Sequence, residues 1–194
     1  SGPAERCFPA GGAYVAQHLA VARTINQAVA TELGYESELP WQMVYQSRSG
    51  PPSQPWLEPD INDAIAELPA QGRRAVVIVP IGFVSDHMEV MWDLDNEALA
   101  TAAEHGMSGV RVPTPGVHPA FVSGLIDLVM ERVNGTAVED RPAMTELGPW
   151  YDVCRPGCCL NGQFDPKPAI PGIPPCRFCF ARPGAHPRPR RPAP

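Results

Sequence analysis

Residues 75–95, AVVIVPIGFVSDHMEVMWDLD, set an unbroken apolar run directly ahead of Asp86, His87 and Glu89. The run AVVIVPI (75–81) is apolar at every position, the pattern of a central parallel strand with both faces covered. Open parallel sheets bind ligands beyond the carboxyl ends of their strands, and the polar group stands there. Two readings compete for it. Asp-x-x-Glu at a helix start resembles a capping box, and carboxylates suit the positive end of the helix dipole. A carboxylate, an imidazole and a second carboxylate also make a metal or proton-transfer site.

Working outward from this strand, helices and strands alternate. Upstream, GGAYVAQHLAVARTINQAVATELG (11–34) repeats Val15, Leu19, Ala22, Ile25, Val29 and Leu33 at helical spacing, with Gly34 as its stop. WQMVYQS (41–47) reads as a short strand, and RSGPPSQPWLEP (48–59) as an irregular loop enforced by its prolines. Asp60 is expected to cap a helix through Leu68. Downstream, a helix is expected from Asp86 to His105, ended by Gly106. GVRVPTP (109–115) reads as a further strand and PAFVSGLIDLVMERVN (119–134) as an amphipathic helix. This alternation predicts an α/β fold, a Rossmann-like parallel sheet flanked by helices. The first helix has no strand ahead of it, so a strand is expected upstream of Ser1.

The pattern stops near residue 135. The remainder is rich in proline, and five of the six cysteines lie beyond residue 150. A disulfide framework would spread its cysteines through the fold it staples; clustering at one end reads as a metal or iron–sulfur site in a cytoplasmic protein. Residues 136–165 are therefore read as a Cys-rich extension, and 166–194 as a Pro/Arg-rich tail without ordered structure. A formal net charge of −6 argues against a nucleic-acid partner. No segment reaches the length of a membrane span. No Gly-x-Gly-x-x-Gly follows a strand, which argues against a dinucleotide site.

The loop YQSRSGPPSQPW (45–56) would share a rim with FVSDHME (83–89). Taken singly, its residues have plain structural explanations: Arg48 a solvated loop charge, Trp56 a plug over a core edge. His87 alone would most simply be a satisfied histidine near the core.

Together, WQMVYQSRSGPPSQPWLEPDI (41–61) and VVIVPIGFVSDHMEVMWDLD (76–95) resemble the C-terminal half of the ferrochelatases, closest to the actinobacterial coproporphyrin III type. The resemblance covers about Ser1–Asn134. It implies the second domain of a class II chelatase fold over residues 1–135, and insertion of ferrous iron into a porphyrin in heme biosynthesis. It leaves coproporphyrin III and protoporphyrin IX both open as substrate, and contact with other heme-biosynthesis enzymes as a further partnership. It places Glu89 at the metal, with Asp86 and His87 as acidic and proton-handling neighbours, and Gln46, Ser47, Arg48 and Trp56 along the porphyrin cleft. The family's catalytic histidine sits in a His-Ser-(Ile/Leu)-Pro motif that this chain does not contain, so the chain is expected to be inactive alone. Members with a 2Fe–2S cluster bind it through C-terminal cysteines. That role falls to Cys154, Cys158 and Cys159 of CRPGCC, with Cys7 or an upstream thiolate as fourth ligand. Zinc and free thiols stay open, also for Cys176 and Cys179. The competing reading is a non-catalytic α/β module that binds a tetrapyrrole or a metal.

Overall fold

The computed structural model describes residues 12–150, apart from 49, 52, 54 and 55, together with residue 152. The chain divides into two compact units, residues 21–137 and residues 1–20 with 138–194.

Helix α1 (Gly12–Glu32) is followed by α2 (Ile61–Glu67), strand β1 (Ala75–Ile78) and a long helical run. That run comprises α3 (Met88–Val90), a π-helical segment (Met91–Ala98) and α4 (Leu99–Glu104). Strand β2 (Ser108–Arg111) and helix α5 (Pro119–Val133) complete it. β1 and β2 pair in parallel, with Ala75 opposite Ser108 and Ile78 opposite Arg111. A parallel pair needs a crossover, and the helical run supplies it. The fold is thus α/β with a parallel sheet, as the alternation predicts.

Local chemistry explains the element ends. The Asp60 carboxylate accepts the Asn62 backbone N–H at 2.8 Å, capping α2 as expected. Gly34 and Gly106 end α1 and α4 with positive φ. In each case the following residue donates five positions back: Tyr35 to Ala30 at 2.8 Å and Met107 to Ala102 at 2.9 Å. This is the Schellman closure, which needs a left-handed residue.

The core of residues 21–137 gathers Ile61 and Ile65 of α2, Ile78 of β1, and Val90, Leu94, Ala98 and Ala102 of the helical run, with Met107. Burying Leu94 or Val90 contributes about 1.5–3 kcal/mol each. Gly109 lets the sheet approach the run closely, because a Cβ there would lie 2.9 Å from Leu99 Cδ2.

Several expectations need correction. Residues 41–47 form no strand; Tyr45 makes a single parallel bridge to Asp60. A strand requires a neighbour, and only one ladder rung is present among the described residues. β1 and β2 are shorter than 75–81 and 109–115. β1 is not covered on both faces: Ile78 is buried while Val77 is 63% exposed, because α2 and the helical run cover one face. The predicted stripe of α1 is covered only in its first half: Val15 is buried and Leu19 and Ala22 are half-buried, whereas Ile25, Val29 and Leu33 are exposed. The helix expected from Asp86 begins at Met88 with His87 as N-cap, so Asp86 is not its cap. None of the residues of α5 is buried.

In the other unit, Arg141, which follows the short helical turn Val138–Asp140, grips Asp152 with two hydrogen bonds, at 3.0 and 2.8 Å.

Candidate functional site

The helical run carries two rows of residues at a strict interval of four: the buried Val90, Leu94, Ala98 and Ala102, and the acidic Glu89, Asp93 and Glu97. In an α-helix of 3.6 residues per turn, each four-residue step overshoots a full turn by about 40°. Three such steps would swing the buried row off the core. A π-helix holds more residues per turn, so the same step falls short of a turn and the drift cancels. The segment Met91–Ala98 therefore keeps the buried row on the core and the acidic row in line beside it. Trp92 Nε1 donates to Glu97 Oε1 at 3.1 Å, five residues on, a pairing that suits this wider turn.

Asp93 and Glu97 line a cleft of about 240 Å³ with Gln46, Ser47, Arg48, Asp60, Ile61 and Asn62. The loop is tied to the run directly: the Ser47 hydroxyl donates to Asp93 Oδ2. Ser47 adopts φ 57°, an uncommon backbone conformation for a residue other than glycine. Such outliers persist where their surroundings over-determine them, often at functional sites. Gln46 Nε2 donates to Ser47 Oγ at 3.4 Å. Asn62 accepts from the Thr101 hydroxyl at 2.9 Å, which joins α2 to α4 beside the cleft.

Glu89 and His87 lie one step nearer the start of the run and are exposed. The His87 ring packs edge-on to Phe83, centroids 4.8 Å apart. Asp86 turns elsewhere. It accepts the Thr114 backbone N–H at 3.2 Å and Arg111 Nη1 at 2.7 Å. Arg111 also forks onto Asp95, Nε to Oδ1 at 2.5 Å and Nη2 to Oδ2 at 2.6 Å. The Thr114 N–H, aided by Arg111, holds the Asp86 carboxyl below its ordinary 3.8 against the opposing effect of desolvation. Hydrogen bonds from Arg111 do the same for Asp95, and Asp95 in turn raises Arg111. The buried Thr114 hydroxyl forms no hydrogen bond of good geometry among the described residues, and it acts on Asp86 more weakly than the backbone N–H.

Of the residues singled out in the sequence, the structure brings Gln46, Ser47 and Arg48 into one cleft with α2 and the π segment. Trp56 is partly exposed and does not line it. Cys7, Cys154, Cys158, Cys159, Cys176 and Cys179 lie outside the described residues. Sequence reasoning missed Asp93, Glu97, Asn62, Asp95 and Arg111. For Asp93 and Glu97 the signal was present, as the four-residue repeat from Glu89. Among the described residues no three His, Cys, Asp or Glu side chains converge on a metal-sized site; the acids form a row instead. No helix among them is long and apolar enough to cross a membrane.

This site lies within a stretch that comparison with known proteins identifies. Residues 2–133 match the family model described as Ferrochelatase. The coproporphyrin III ferrochelatase of Leifsonia xyli subsp. xyli is 60% identical over 166 residues, covering 85% of this chain and 41% of the relative. That of Tropheryma whipplei is 54% identical over 176 residues, covering 90% and 44%. A ferrochelatase of Rhodopirellula baltica is 47% identical over 157 residues, covering 73% and 44%. The chain belongs to the ferrochelatase family. It spans about two fifths of the length of these relatives.

Proposed function

We propose that this chain supplies the metal-handling side of a site that inserts ferrous iron into a porphyrin, with coproporphyrin III as substrate and coproheme as product. The row Glu89–Asp93–Glu97, leading from His87 into the cleft behind Ser47, is the observation that carries this reading. Names of the relatives support the choice of coproporphyrin III over protoporphyrin IX.

The reaction exchanges two pyrrole protons for one divalent ion bound by four nitrogens. It needs groups that accept protons and hold iron only loosely. Carboxylate and imidazole suit both tasks, and a row of acids offers successive weak sites where a converging cluster would trap the ion. Glu89 and His87 are assigned the proton and metal handling at the macrocycle. Asp93 and Glu97 extend the same negative row into the cleft. Arg48 is assigned to a propionate of the porphyrin, since guanidinium pairs well with carboxylate, Gln46 to the cleft wall, and Trp56, outside the cleft, to the porphyrin's edge. Asp86 acts through its neighbours, because a carboxylate held ionised by Arg111 and Thr114 is a poor proton acceptor near neutrality. Turnover is assigned to a fold of the relatives' full length, since this chain contains no His-Ser-(Ile/Leu)-Pro sequence. A cytoplasmic setting goes with this reading, as does a 2Fe–2S cluster on Cys154, Cys158 and Cys159 with Cys7 or an upstream thiolate as fourth ligand; the cluster rests on the sequence alone.

The test joins this chain to the remaining part of the Leifsonia xyli relative and follows loss of porphyrin fluorescence as iron enters. Glu89→Gln keeps the shape and removes the charge. It is expected to lower turnover by about 10²-fold or more, the scale of lost general acid–base catalysis, with the melting temperature unchanged because Glu89 is exposed. Near-parental turnover would remove Glu89 from the chemistry. A joined chain that binds the porphyrin and never metallates it would favour the non-catalytic tetrapyrrole-binding reading.

A further inference from the structure

Arg111 is the last residue of β2, and its side chain is only 10% exposed. Its guanidinium reaches two other elements. Two donors engage both oxygens of Asp95, inside the π segment, at 2.5 and 2.6 Å. A third engages Asp86, in the loop ahead of α3, at 2.7 Å, and the same nitrogen reaches Val112 O at 3.4 Å. The two carboxylates bracket His87, Glu89 and Asp93 in the sequence. The stretch that carries the reactive groups is therefore pinned at both ends by one cation, and the Thr114 N–H on Asp86 adds a second tie to the same strand end.

We propose that Arg111 is a positioning residue for iron insertion, locking the His87–Glu89 turn and the π segment to the end of β2 so that Glu89 and Asp93 keep their place. This rests on the function proposed above. Arg111 does not line the cleft, so it acts through the segment it holds. Its bidentate fork on Asp95 is planar and directional, which fixes orientation as well as distance. A π turn has few intrinsic reasons to persist, and an external anchor at Asp95 selects it over the narrower α turn. Lysine, a point charge on a flexible stem, would keep the attraction and lose the fork.

The experiment uses the same joined chain, with iron insertion into coproporphyrin III and amide hydrogen exchange as separate readouts. Arg111→Met is expected to lower kcat by about 10²-fold, the scale of a 1 Å misplacement of catalytic groups. The porphyrin KM is expected to stay within about threefold, because binding of the macrocycle is not the function lost. Arg111→Lys is expected to recover about tenfold of that loss, as charge without the fork. Amides of residues 88–98 should exchange faster in Arg111→Met while those of α2 do not change. Where Arg111→Met fails to fold, Asp95→Asn, which keeps the shape and weakens the fork, takes its place with the same pattern expected at smaller size. A folded variant with parental kcat and unchanged exchange over 88–98 overturns the proposal. Faster exchange with parental kcat leaves a structural tie and overturns the catalytic role. A parent chain that inserts no metal overturns the function itself, an outcome the Arg111 variants cannot mimic.

Discussion

The helical run from Met88 to Glu104 and helix α5 both carry apolar residues at helical spacing, and they end differently. The run buries Val90, Leu94, Ala98 and Ala102 almost completely against α2 and β1. α5 buries nothing; Leu125, Ile126, Val129 and Val133 all remain exposed. Their sequences foreshadow the contrast. The run has one narrow row, large residues first and alanines after, which matches a single close-packed seam. In α5 the apolar residues spread over a wide arc, the pattern of a helix covered on more than one side. A helix's periodicity states which face wants cover; it does not state whether the cover is in the same stretch of chain.

The largest effect should come from the buried row. Leu94→Ala removes a side chain that is 1% exposed at the centre of the core. A cost of about 2–5 kcal/mol is expected from lost transfer energy and the remaining cavity. Denaturant unfolding of the 194-residue chain, monitored at the helical signal, measures it. A loss under about 1 kcal/mol would mean that the run is no better packed than α5.

A smaller effect should follow pH. Both carboxylates on Arg111 have folded pKa values lowered below 3.8, so they bind protons less readily in the folded state than in the unfolded. Their stabilisation is therefore fully present above the ordinary carboxylate range and is lost as pH falls through the lowered values. The difference in melting temperature between the parent and Arg111→Met should be constant above about pH 5 and close below about pH 4. A gap that widened in acid would mean that the carboxylates are not held by Arg111. Because α5 lacks this tie, exchange of its amides should not follow the same pH dependence.

What could be read in the sequence follows the same division between local and distant causes. The Asp60 cap, the glycine stops at 34 and 106 and the alternation of strand and helix are set by residues near one another in the chain, and all were legible. The bridge that replaces the expected strand at 41–47 was not, since a strand is defined by its partner. Asp86 looked like a helix cap because its local context fits one, yet its partner Arg111 lies 25 residues away. Ser47 and Asp93 are separated by 46 residues and meet only through the fold. The π segment lies between these cases. Its four-residue repeat is visible at Glu89, Asp93 and Glu97, but a repeat of four is also tolerated by an α-helix over a short stretch. Only the buried row, which must stay on the core through three successive steps, excludes the narrower turn.

The smallest expected effect is the one that tests the open helix. Leu125 and Val129 lie one turn apart on α5, 47% and 60% exposed. Replacing both with serine removes apolar surface already in contact with water. Serine is a weaker helix former than leucine, by a few tenths of a kcal/mol. The unfolding free energy of the 194-residue chain should therefore change by no more than about 0.5 kcal/mol, the ordinary range for a surface substitution. Solubility should rise, because a contiguous exposed apolar face promotes association. Sedimentation of the parent and the double variant at matched concentration reads the second effect independently of the first. A loss above about 1.5 kcal/mol would show that these side chains are buried within the chain in solution. The contrast between the run and α5 would then disappear, and the wide apolar arc would be serving this chain's own core.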